Sequence, residues 1–140
     1  MNTSKKKYTH VYHFEEKPIA TKVRGLMCLS QEIVSKITKN YKYQIGTDIL
    51  TTTSRLGYCV YDALDQMGFG KEKNDKIENI FKCLRSCILV LRVAKDLNLI
   101  STDKFEQYIN AAVSLKTQTE NWKHFVEEKA KTEAFNDKQE

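Results

Sequence analysis

Proline and glycine are scarce here, with one proline and five glycines in 140 residues. Strand-rich sandwiches and barrels are punctuated by turn residues every few positions, so this scarcity, together with 29% charged residues, predicts an all-helical protein. No run of about 18 apolar residues occurs, so no membrane-spanning helix is expected. The leading residues MNTSKKKYTH are basic and lack an apolar segment, which argues against a secretory leader and for a cytoplasmic protein. Chemistry-bearing motifs are missing as well. There is no Glu-x-x-His pair of the sort that holds metals inside bundles, and no Ser or Cys nucleophile stands in a recognisable catalytic setting. The segment GFGK is too short for a phosphate-cradling loop. Neither an enzyme nor a cofactor or metal site is expected.

What is present begins with charge. The net charge is +5. Residues 1–17 contribute four lysines and two glutamates, and residues 127–140 contribute three lysines and five acids. The body between them therefore keeps 16 basic and 11 acidic residues, so the basic excess belongs to the folded part. Such a balance permits a polyanionic partner. Of the cysteines at 28, 59, 83 and 87, the pair Cys83 and Cys87 sits four apart in a helical pattern. Both read as small buried residues of a reducing compartment. His10 and His13 read as a surface pair on a polar arm, and His124 as a boundary residue of the last helix.

The chain divides into a polar arm (1–17), a four-helix body (18–126) and a frayed, charged tail (127–140). Pro18 suits the first turn of a helix, since its missing N–H is not needed there. The first helix is expected over residues 18–40, burying Ile19, Val23, Leu26, Met27, Ile33, Val34 and Ile37. A second, over 44–66, carries a weaker stripe (Ile45, Ile49, Leu56, Val60, Leu64) and a run of Thr51, Thr52, Thr53 and Ser54 with poor helix propensity. The loop MGFGKEKND precedes a third helix over 74–98. Ser101 is a good N-cap for the fourth, whose stripe is Phe105, Tyr108, Ile109, Ala112, Leu115, Thr119, Trp122 and Phe125. Four amphipathic helices with short connections predict an up-down-up-down bundle.

One stretch of the third helix is unusual. In CLRSCILVLRVAKDLNL, Leu84, Cys87, Ile88, Leu91 and Ala94 form one apolar face, while Leu89, Val90 and Val93 cover much of the other. A helix apolar nearly all round asks for cover on two sides, and in a short chain a second copy can supply it. Leu89, Val90 and Val93 are therefore the candidate oligomer interface. No acid interrupts residues 79–95, where Lys82, Arg85, Arg92 and Lys95 lie.

Three segments carry a family resemblance: YKYQIG (41–46), LRVAKDLNLIS (91–101) and ENWKHF (120–125) with Trp122. They resemble the four-helix-bundle family that includes Avd, the accessory variability determinant of diversity-generating retroelements. The same bundle occurs in proteins encoded within intervening sequences of ribosomal RNA genes. The resemblance covers roughly residues 18–126, and none of its motifs is catalytic. The chain departs at Leu50, where the family often has a basic residue, so a surface carried over by analogy loses one charge. The resemblance implies a homopentameric barrel whose basic surface binds a reverse transcriptase and RNA or DNA.

The candidate nucleic-acid-binding residues are Lys36, Lys39, Lys42, Lys82, Arg85, Arg92 and Lys95, because phosphate contact needs clustered, unpaired cations. The competing reading pairs Arg92 with Asp96 and Lys82 with Glu78 along one helix, leaving only a solvated face. Tyr41 and Tyr43, flanking Lys42, either stack on bases or anchor the loop. Trp122 reads as a core or subunit-boundary anchor. A bundle without a reverse transcriptase partner, and a purely structural protein-binding bundle, are the two alternatives.

Overall fold

The computed structural model describes residues 11–139, and every regular element among them is helical. Four long helices form the body: α1 (Pro18–Ser35), α2 (Thr47–Asp65), α3 (Lys71–Asp96) and α4 (Thr102–Gln139). Each packs on its sequence neighbour, and α4 closes the ring on α1. Cross-helix bonds show the antiparallel order. Lys104 on α4 meets Glu32 at 2.6 Å while Lys22 reaches Ser114, so α1 and α4 run in opposite directions. Cys59 lies against Cys83, and Cys87 donates to the Thr52 carbonyl, which does the same for α2 and α3. The helical bundle is as expected.

The apolar stripes explain the packing. Val23, Leu26, Ile33, Leu56, Val60, Ile77, Ile80, Leu84, Leu91, Tyr108 and Leu115 meet in one core. Their spacing puts them on one face of each helix, and burying each such side chain stabilises the fold by about 1.5–3 kcal/mol. Gly57 allows a close α1–α2 approach, since an added Cβ would meet the Met27 sulfur at 2.5 Å. In the core the Thr53 and Tyr108 hydroxyls share a 2.7 Å hydrogen bond, and Thr53 also donates to the Ile49 carbonyl. The threonine run is helical despite its propensity because tertiary contacts and back-bonding to the preceding turn satisfy its hydroxyls.

Several boundaries differ from expectation. The first helix stops at Ser35, and Ile37 is buried beyond it. A single turn (Lys39–Tyr41) and a π-helical turn (Lys42–Gly46) then run directly into α2. The third helix starts three residues early, at Lys71 after Gly70. Its end is a Schellman motif: Leu99 N–H bonds to the Ala94 carbonyl and Asn98 N–H to that of Lys95, with Asn98 in the left-handed region at φ 59°. Ser101 caps α4 as expected, its hydroxyl accepting from Lys104 N–H at 3.1 Å. Val126, and not Phe125, is the last fully buried side chain of α4.

The described residues flanking the body, 11–17 and 127–139, hold more regular structure than their polarity suggests. The segment expected to fray is helical through Gln139, because Glu, Lys and Ala are strong helix formers. Residues 131–138 are nonetheless all exposed, so the last turns project beyond the body. At the other end, a 3₁₀ turn (His13–Glu16) buries Phe14 against Tyr61, whose ring lies 5.5 Å away. Arg24 clamps it, donating to the Glu15 carbonyl and the Tyr61 hydroxyl. His13 is exposed, and His10 lies outside the described residues along with the rest of positions 1–10.

Candidate nucleic-acid interface

The antiparallel register of α2 and α3 brings together two acid-free stretches. Residues 79–95 of α3 carry Lys82, Arg85, Arg92 and Lys95, and residues 49–61 of α2 carry Arg55. The Cys59–Cys83 and Thr52–Cys87 pairs set these stretches side by side, with Arg55 level with Arg85. Together these stretches make an acid-free strip, but its cations do not share one side. Arg85 and Arg92 lie on the flank of α3 that faces α4, where Glu78 meets Lys123 and Arg92 meets Phe105, while Arg55 stands on α2. Among the described residues, none of the five forms an ion pair. Tyr58 stands in the same strip, 72% exposed. Arg55 and Tyr58 were missed in the sequence. The available signal was the absence of acids across 49–61, which means nothing until α3 is placed beside it.

The local pairings expected along α3 do not form. Glu78 turns away from Lys82 and pairs with Lys123 of α4 at 2.5 Å. Arg92 lays its guanidinium over the Phe105 ring at 5.4 Å, a cation–π contact that ties α3 to the start of α4. Lys82 and Arg85 remain exposed, so they are the α3 cations open to a phosphate.

The other three predicted cations lie elsewhere. Lys36 lines a small hollow with Leu99, Ser101 and Lys104, at the end of the bundle where α3 turns into α4. Lys39 and Lys42 follow on the connection to α2, where Lys42 donates to the Ser35 carbonyl at 3.4 Å. At this end acids accompany the cations: Lys104 pairs with Glu32 at 2.6 Å, and Asp96 and Asp103 flank the turn from α3 into α4. The seven predicted residues thus form two groups: Lys82 and Arg85 lie midway along α3, while Lys36, Lys39, Lys42, Arg92 and Lys95 lie toward the end where α3 turns into α4. Lys82 and Lys95 alone are separated by about 20 Å along α3. Tyr43 is 80% exposed and Tyr41 is exposed too, so neither anchors the connection to the core.

The predicted interface residues split by depth. Leu89 is 64% and Val93 39% exposed, and Leu97 extends the same ridge at i+4 spacing. Val90 is half-buried and packs against the chain's own core, leaving less of it for a partner. The ridge flanks Lys82, Arg85 and Arg92 on α3.

At the opposite end a cleft of about 480 Å³ is lined by Leu64, Phe69, Trp122 and Phe125. Lys73 fills its floor. The ammonium donates to the Ala63 and Gln66 carbonyls at the end of α2 and lies 5.1 Å from the Trp122 ring. It acts as a C-cap contributed by another helix. Burial holds its pKa below the ordinary lysine value. Trp122 is thus a half-buried anchor, while His124 is exposed. Among the described residues no cluster of three or more His, Cys, Asp or Glu could hold a metal, and no helix is long and apolar enough to cross a membrane.

No known protein family, curated protein or solved structure matches the chain. The molecule is a helical bundle with exposed, unpaired cations midway along α2 and α3 and an exposed Tyr58 near Arg55.

Proposed function

We propose that this chain is a non-enzymatic, cytoplasmic scaffold that binds RNA or DNA through the α2/α3 strip and self-associates along α3. The observation that carries this reading is that the acid-free stretches of α2 and α3 pack side by side and that their exposed Arg55, Lys82 and Arg85 form no ion pair among the described residues. Phosphate contact draws its affinity from releasing counterions at such unpaired charges. Tyr58 adds an aromatic surface on which a base can stack. Repetition of the strip around an oligomer multiplies weak contacts through effective concentration. The resemblance to Avd supports the finer reading: a homopentamer that binds a reverse transcriptase and its template or product, assisting mutagenic copying.

The test is fluorescence anisotropy of labelled single-stranded RNA and DNA across a salt series, with light scattering on the same sample. Salt-dependent binding that drops in Arg55→Glu/Arg85→Glu, by a particle of about five chains, supports the reading. Binding that ignores salt and those substitutions overturns the nucleic-acid role. A monomer at all concentrations overturns the barrel. Co-purification with a reverse transcriptase encoded at the same locus tests the remaining partner.

A further inference from the structure

The four cysteines occupy four different environments. Cys28 is exposed on α1. Cys87 is buried and donates to the Thr52 carbonyl at 3.3 Å. Cys59 on α2 and Cys83 on α3 face each other, sulfur to sulfur, at 3.0 Å. That separation is closer than two sulfur radii, and a covalent bond needs a further approach of only about 1 Å. Cys59 is half-buried and Cys83 buried, so a reagent from solvent reaches Cys59 first.

From this geometry we infer that Cys59 and Cys83 form a reversible dithiol/disulfide pair that ties α2 to α3. The partner reagent is a small disulfide of the glutathione type. Cys59 gives up its proton and, as thiolate, attacks one sulfur of that reagent. The reagent's S–S bond breaks, a mixed disulfide forms on Cys59, and the leaving thiolate takes up a proton. Cys83 then gives up its proton and attacks the Cys59 sulfur, expelling the second small thiol. Two protein thiols are oxidised to one disulfide, and one small disulfide is reduced to two thiols.

The groups around Cys59 set the pace. Burial, then the Cys83 thiol and Asp62, push the Cys59 thiol up to about 12, with Arg55 acting in the opposite sense. Cys87, the third thiol nearby, is also raised by burial. Little thiolate exists near neutral pH, so closure is slow there and speeds by about tenfold per pH unit through the alkaline range. Once closed, the bond links the ends of a hairpin containing the Gly68 turn and restricts the unfolded chain. The pair stands independently of nucleic-acid binding, because it rests on the α2–α3 contact alone.

The experiment uses the full chain carrying Cys28→Ser, which removes the exposed thiol and its intermolecular products. The protein is incubated with oxidised glutathione at mildly alkaline pH, quenched with an alkylating agent in denaturant, and mapped by mass spectrometry. The expected product lacks two hydrogens, links the Cys59 and Cys83 peptides, and leaves Cys87 alkylated. Its thermal midpoint rises by roughly 5–10 °C relative to the reduced form, and dithiothreitol reverses both changes. In the additional variant Cys83→Ser, the reaction stops at one glutathione on Cys59. Three alkylated thiols after oxidation, or a bond that includes Cys87, would overturn the inference.

Discussion

The two sides of this bundle hold their lysines and arginines differently. Where α1 meets α4, Lys104 pairs with Glu32 at 2.6 Å and Lys22 bonds to Ser114. Where α3 meets the later part of α4, Lys123 pairs with Glu78. Midway along α2 and α3, Arg55, Lys82 and Arg85 have no such partner among the described residues. The net charge of the chain therefore says little about where an anion would bind. Positive charge ties α2 to α3 as well near their loop, where Lys76 pairs with Asp62 at 3.3 Å and Lys73 caps α2. Farther along the two helices it is left over, and leftover charge is what a polyanion can use.

The largest effect should come from the buried side of α3. Leu84→Ala is expected to cost about 2–5 kcal/mol in urea unfolding, since it opens a cavity beneath both sides of the bundle. Leu89→Ala, on the outer ridge, should change the unfolding of a single chain by less than about 0.5 kcal/mol while lowering the assembled mass in light scattering. If the two substitutions destabilise equally, the division of α3 into a core face and a free ridge is wrong.

Charge reversal sharpens the comparison between sides. Arg55→Glu/Arg85→Glu should weaken single-stranded RNA binding by about tenfold or more at low salt and flatten the log–log salt slope by about 1.4, the share of two phosphate contacts. Lys22→Glu/Lys104→Glu should leave that slope unchanged and lower stability instead. Equal effects on binding would mean that the paired side also contacts nucleic acid.

Lys73→Met removes the cross-helix cap of α2 and leaves its last carbonyls unbonded, so a loss of about 1–2 kcal/mol is expected in chemical denaturation. The exposed Glu32 gives a smaller, pH-dependent signal. Hydrogen bonding and the charge of Lys104 hold its carboxyl below the usual 4.5. A depressed folded value means that its contribution is present above 4.5 and is lost as pH falls through the lower folded value. The urea-midpoint difference between wild type and Glu32→Gln should therefore close as the solution is acidified below that point. The smallest effect belongs to the projecting end of α4: truncation after Ala130 should reduce helical signal yet change stability by less than about 1 kcal/mol.

Much of the fold was legible because the apolar spacing is regular. Ile19, Val23, Leu26, Ile33 and Val34 are buried as their period requires, and so are Tyr108, Ala112, Leu115 and Thr119. The end of α1 was not legible, because Thr38 to Gly46 continues in short helical turns whose geometry no periodicity announces. The tail was misread because polarity and order are separate properties: Glu, Lys and Ala keep a helix while burying nothing. Of the candidate site, Lys82 and Arg85 were visible as unbroken positive charge along one helix. Arg55 and Tyr58 were not, since a lone arginine in an apolar and hydroxyl-bearing helix has no significance by itself.

Sequence alone settled that the chain is helical, that four stripes must share a core, and that the basic excess sits in the body. Those are local or summed properties, read from spacing and composition. Which charges cancel was decided only by tertiary structure. Glu78 could pair along its own helix or across to α4, and the antiparallel packing that brings Lys123 beside it resolves the choice. The same packing sets an acid-free stretch of α2 beside one of α3 and brings two distant cysteines to 3.0 Å. Register between helices is a property of the packed core, and neither helix of such a pair contains it.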